Sequence, residues 1–122
     1  MFKISRRIHS TLDYATDSIV AALPVALNMD DDDPIRKVLH RHATLAAGYT
    51  ALTNYERGMV KVLPYRVHLG LDAVSILLLV IGAFTAGSAG KRYRWLPLVL
   101  AGAEAGVLLL SLPGLKDAEE GE

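Results

Sequence analysis

Arg7-Ile8-His9-Ser10-Thr11-Leu12-Asp13 and Arg66-Val67-His68-Leu69-Gly70-Leu71-Asp72 share one skeleton, Arg-x-His-x-x-Leu-Asp, 59 positions apart in a chain of 122 residues. At the same offset Thr16 answers Ser75, and the pair Ala43 and Ala47 answers Gly102 and Gly106. The chain therefore reads as two copies of one unit, repeat 1 over about 5–58 and repeat 2 over about 64–115, followed by an acidic tail over 116–122. On a helix, a His and an Asp four residues apart stand on one face, because the backbone turns once every 3.6 residues. Thr16 and Ser75, three residues further on, continue that stripe.

Apolar residues make up 52% of the chain and charged residues 21%, but the two are kept apart. No ionisable residue occurs from Ala73 to Gly90, and Glu104 is the only one from Leu96 to Leu115. Stretches of about 18–20 apolar residues match the thickness of a bilayer's hydrocarbon core. In a soluble bundle two such helices would form a core that so short a chain could not cover. A single membrane domain spanning 1–122 is the expectation, with the lipid bilayer as its first partner. The absence of cysteine rules out disulfides and thiolate chemistry. A formal net charge of zero offers no electrostatic footprint for nucleic acid. Lys3, Arg6 and Arg7 precede an apolar stretch as in a signal peptide, yet Asp13 and Asp17 interrupt what would be its apolar core. The first helix is thus expected to be retained.

Helical punctuation predicts four spans. Helix 1 covers about Ile8 to Asn28 with Pro24 inside it. Asp33-Pro34, at the end of the acidic run Asp30 to Asp33, is a cap followed by the preferred first helical residue. Helix 2 then runs to about Tyr55, with Gly58 as its stop. Helix 3 covers about Tyr65 to Ala86, and helix 4 about Leu96 to Leu112 before Pro113-Gly114. Tyr93 and Trp95 fit an aromatic belt. The fold class expected is all-α: a four-helix transmembrane bundle built from two parallel helical-hairpin repeats. Lys3, Arg6, Arg7, Arg57, Lys61 and Arg66 fall on one side, and five basic residues fall on the other: Arg36, Lys37, Lys91, Arg92 and Arg94. The small excess slightly favours both termini in the cytoplasm.

Parallel hairpins related by an axis along the membrane normal put His9 and His68 at one depth, and Asp13 and Asp72 likewise. If the stripes face that axis, two imidazoles and two carboxylates meet. This supplies two nitrogens and two oxygens, a ligand set suited to zinc, iron or manganese. A b-type haem held by His9 and His68 is a second option, and proton or ion conduction a third. The structural alternative ranks first: each Asp accepts from a His, and the polar cluster joins the halves of a non-enzymatic membrane scaffold. Thr16, Ser75 and Glu104 extend the cluster, whereas His42 enters from the opposite surface and is set aside. Ala43, Ala47, Gly102 and Gly106 are small-x-x-x-small patterns that let helices approach closely. Glu104 lies between the two glycines but on the other side of its helix, so both sides need protein neighbours and a homo-oligomer follows. No Ser/His/Asp constellation, phosphate loop or His-Glu-x-x-His helix marks an enzyme.

Arg-x-His-x-x-Leu-Asp at the opening of a span, with Thr53-Asn54-Tyr55-Glu56-Arg57-Gly58 followed by Pro64-Tyr65-Arg66-Val67-His68, resembles the small prokaryotic membrane proteins of the SPW-repeat type. The resemblance covers most of the chain as a pattern of spans. It implies an integral membrane protein of paired helical hairpins with no assigned biochemistry. Leu23-Pro24-Val25 and Gly82-Ala83-Phe84 stand where that family's Ser-Pro-Trp is expected, which points to a distant branch.

Overall fold

The computed structural model describes residues 3–54 and 58–115; the stop expected around Tyr55 to Gly58 falls partly outside them, and the tail 116–122 wholly so. Among the described residues the chain is all-helical, with α1 (Arg6–Ala26), α2 (Pro34–Ala51), α3 (Tyr65–Thr85) and α4 (Trp95–Ser111) and no strand. Short 3-10 turns occupy Gly87–Gly90 and Leu112–Gly114.

Each boundary has a local cause. The Ser5 hydroxyl accepts from the Ile8 amide at 3.2 Å, and the Asp33 carboxylate accepts from the Ile35 amide at 2.8 Å, so both helix starts are capped. Asn28, just past α1, takes a φ of 52°, a left-handed conformation that asparagine tolerates better than most residues. α2 stops at Ala51, short of the expected Tyr55, because the following loop folds back over it. Met59 and Val60 amides donate to the Ala51 carbonyl at 2.8 and 2.9 Å, and Val62 and Leu63 amides to the Leu52 carbonyl at 3.0 and 2.8 Å. The last carbonyls are thereby satisfied without another helical turn. Arg94 does the same for α3, donating from Nε to the Ala83 carbonyl at 2.8 Å and from Nη2 to the Gly87 carbonyl. A residue expected as a surface charge is thus a helix cap.

α1 packs on α2, α2 on α3 and α3 on α4, while α1 and α4 touch little. The starts of α1 and α3 share one end of the bundle with the finishes of α2 and α4. There the Ile4 amide donates to the Leu110 carbonyl at 2.8 Å, and Tyr65 and Leu69 pack against Leu108 and Leu115. At the other end Val20, Ile35, Leu39 and Leu96 form an apolar cluster. α2 and α3 meet closely at Gly82, where a Cβ would stand 2.9 Å from both methyls of Val38.

The α4 stripe behaves otherwise. A Cβ on Gly102 or Gly106 would meet nothing within 4 Å, so neither glycine serves helix packing within the chain. Ala43 is buried as expected, but Ala47 is exposed. The stripes extend over several turns, and only the part facing a neighbour inside the chain is used.

α3, with 21 residues and a mean hydropathy of 2.2, is long and apolar enough to cross a membrane. So is α4 as it continues to Gly114, with 20 residues and a mean hydropathy of 1.8. The chain itself buries 28% of the most apolar stretch of α3 and 22% of that of α4. α1 and α2, which carry His9, His40 and His42 together with Asp13 and Asp17, fall below that standard.

Candidate metal centre

His9 and Asp13 lie one turn apart near the start of α1, and His68 and Asp72 occupy the equivalent turns of α3. The i, i+4 spacing turns each pair to one side, and the two sides face each other across the bundle. His9 Nε2 stands 2.9 Å from Asp72 Oδ2 and 3.3 Å from Asp13 Oδ1. His68 Nε2 stands 2.8 Å from Asp13 Oδ2 and 3.3 Å from Asp72 Oδ2. Each imidazole therefore meets its own helix's carboxylate and, more closely, that of the other helix. One ligand atom from each of the four residues fits within a span of 4.8 Å. Both histidines are buried, and the two rings cross nearly edge to face with centroids 5.3 Å apart.

The far nitrogens are fixed too. Ser111 Oγ donates to the Val107 carbonyl at 2.6 Å, which leaves its oxygen to accept from His9 Nδ1 at 2.7 Å. Thr53 Oγ1 donates to the Tyr49 carbonyl at 2.6 Å and accepts from His68 Nδ1 at 2.7 Å. A hydroxyl has one hydrogen to give, so in both rings Nδ1 carries a proton. Nε2 is then the atom left to face the carboxylates, either as a lone pair or as a second N–H. Imidazoles tethered through one nitrogen and presented through the other are the usual arrangement around a bound metal.

Tyr49 completes the wall. Its hydroxyl donates to Asp72 Oδ1 at 2.7 Å and lies 3.2 Å from Ser75 Oγ, and its ring sits edge-on to His68 at 4.9 Å. Ser75 thus joins the cluster as the repeat pattern predicts. Thr16 lines a cavity of about 20 Å³ beside it and makes no hydrogen bond to the quartet. Val107 stands 58 positions after Tyr49 and offers Asp13 no comparable hydroxyl.

Glu104 does not ligate with the four. Its Oε1 lies 3.0 Å from His42 Nε2, and both residues sit midway along their helices. The expectation that His42 belongs to the opposite surface is corrected by the length of α2. With the helix confined to Pro34–Ala51, position 42 is its midpoint. Glu104, Asp17 and Asp72 nevertheless line the same small cavity. Asp17 Oδ2 and Glu104 Oε2 are buried there with no hydrogen-bond partner among the described residues.

A haem does not fit between His9 and His68. Carboxylate oxygens stand 2.9 and 2.8 Å from the two Nε2 atoms, and the adjoining cavity has the size of a water molecule or an ion, far below that of a macrocycle. Ser111, Thr53 and Tyr49 are site residues that the sequence reading does not single out as such. Thr53 and Ser111 lie 58 positions apart, one short of the motif's offset, and that near-match is the signal that could have found them. Comparisons with family models, curated proteins and solved structures give no match to this chain.

Proposed function

We propose that the chain is a small integral membrane protein that binds one divalent transition-metal ion through His9, Asp13, His68 and Asp72. The observation that carries this is the pair of hydroxyl-tethered imidazoles aiming their Nε2 atoms at two carboxylates. A tetrahedral shell with bonds of about 2.0–2.2 Å sets neighbouring ligand atoms about 3.3–3.6 Å apart. Asp72 Oδ2 stands 2.9 and 3.3 Å from the two imidazoles, Asp13 offers them different oxygens at 3.3 and 2.8 Å, and one atom from each residue fits within 4.8 Å, so the four side chains need to shift by about an ångström to close a tetrahedral shell. Two imidazoles and two carboxylates suit zinc, iron or manganese. The membrane reading draws on α3 and α4, whose apolar residues mostly point away from the chain, as lipid-facing helices do and core helices of soluble proteins do not.

The test is elemental analysis of the detergent-purified protein after incubation with zinc, iron(II) or manganese(II). We expect about one ion per chain in the wild type and loss of that ion in His68→Ala and Asp72→Asn. A folded wild type that takes up none of the three overturns the proposal. Resistance of the protein to alkaline extraction from membranes tests the bilayer part separately.

The scaffold reading has its own support in the hydrogen bond between His9 Nε2 and Asp72 at 2.9 Å and in the 2.8 Å approach of His68 Nε2 to Asp13. With both Nε2 atoms protonated, two imidazolium and two carboxylate groups clasp α1 to α3 at zero net charge. Metal-free protein that unfolds on Asp13→Asn would favour it. Kinship with SPW-repeat-type proteins, a homo-oligomer built on the outward Gly102 and Gly106 stripe, and cytoplasmic termini belong to the same proposal.

A further inference from the structure

At the end of the bundle remote from the histidine cluster, a pocket of about 640 Å³ opens between the finish of α1, the start of α2 and the finish of α3. Its size lies within the range of small-molecule sites, about 300–1,000 Å³. Its two halves differ in chemistry. Val20, Pro24, Val38 and Ala86 give an apolar floor, while Arg36, Lys37, His40 and Arg41 rise along one side of α2. Lys37, His40 and Arg41, at intervals of three and four residues, share the exposed face away from buried Ile35, Leu39 and Ala43, and Arg36 flanks it. Asp31 is the acid among the lining residues; it is 98% exposed and lies 3.6 Å from Arg36. Arg36 is further occupied by the Met29 carbonyl at 2.6 Å. Lys37, His40 and Arg41 make no ion pair among the described residues. Gly82 and Val38, which pack closely on each other, also line the pocket.

We propose that this pocket binds one acidic phospholipid, its phosphate held by Lys37, His40 and Arg41 and an acyl chain laid on the floor between α1 and α3. The cationic side supplies charge complementarity to a phosphate headgroup. The acyl chain needs the floor, which a free phosphate would leave unused. The pocket stands at the finish of an apolar helix, α3, where headgroups meet hydrocarbon if α3 spans a bilayer. The proposal rests on that membrane reading and is independent of the metal.

The test is native mass spectrometry of the full chain in detergent, equilibrated with phosphatidylglycerol or phosphatidylcholine of equal chain length. We expect one phosphatidylglycerol retained per chain and no comparable retention of phosphatidylcholine. Removing one charge near a headgroup costs about fivefold, so Lys37→Gln with Arg41→Gln should weaken retention roughly 25-fold. Ala21→Trp, at an exposed residue of the wall, should weaken it with every charge in place. Equal retention of both lipids, or retention indifferent to the charge pair, overturns the proposal. Displacement of the lipid by millimolar inorganic phosphate, with Ala21→Trp behaving as wild type, assigns the site to free phosphate and overturns it as well. These outcomes are read in micelles, so they stand apart from alkaline extraction, on which the membrane reading itself depends.

Discussion

At the scale of single residues, the site is decided by hydroxyls as much as by its histidines. Ser111 and Thr53 each spend their proton on a carbonyl four residues back and so dictate which nitrogen of His9 and His68 is free. Ser111→Ala or Thr53→Ala should lower zinc affinity about 10–100-fold with the stoichiometry unchanged, as loss of an orienting partner does elsewhere. Competition titration against a chelating dye would measure this, and an unchanged affinity would show that the tethers do not orient the rings. Tyr49→Phe removes a donor from half-buried Asp72 and should cost about 1 kcal/mol in thermal unfolding of the metal-free protein. His9, Asp13, His68 and Asp72 were legible in the sequence because i, i+4 spacing survives any packing of the helices. Ser111, Thr53 and Tyr49 were not, because their partners lie 102, 15 and 23 positions away and depend on which helix ends adjoin.

At the scale of helices, small residues act only where a neighbour comes close. A Cβ on Gly82 would stand 2.9 Å from Val38, whereas one on Gly102 would meet open space. Gly82→Ala should therefore destabilise the fold by about 1–3 kcal/mol, the usual range for overpacking, and Val38→Ala introduced beside it should restore most of the loss. Gly102→Ala should leave the monomer unharmed or stabilise it by up to about 1 kcal/mol, since alanine is the better helix former. A comparison of unfolding midpoints checks both; equal damage at the two glycines would mean that α4 packs against protein after all. The sequence pattern located four helices well because Asp33-Pro34, Gly87 and the proline at position 113 act locally. It misjudged the end of α2 because that end is set by amides of residues 59–63, which return from beyond the loop. His42 was misplaced for the same reason, and the His42–Glu104 pair went unseen with it.

At the scale of the whole molecule, the quartet links the first helix to the third, which otherwise meet mainly through side chains. Metal that binds only the folded state should stabilise it, by about 2.7 kcal/mol at a free concentration one hundred times Kd. A chelator should thus lower the melting temperature of wild type and leave that of His68→Ala unmoved. Equal melting curves with and without chelator would separate the site from the fold. One feature of the cluster carries further than stability. Tyr49 reaches Asp72, while the matching position in the other half is Val107. The Tyr49 hydroxyl thus marks one carboxylate of the centre, and Tyr49→Phe should shift a carboxylate band in vibrational spectra of the loaded protein. A ligand change at Asp72 would in this way be felt in α2 as well as in the two helices that hold the centre.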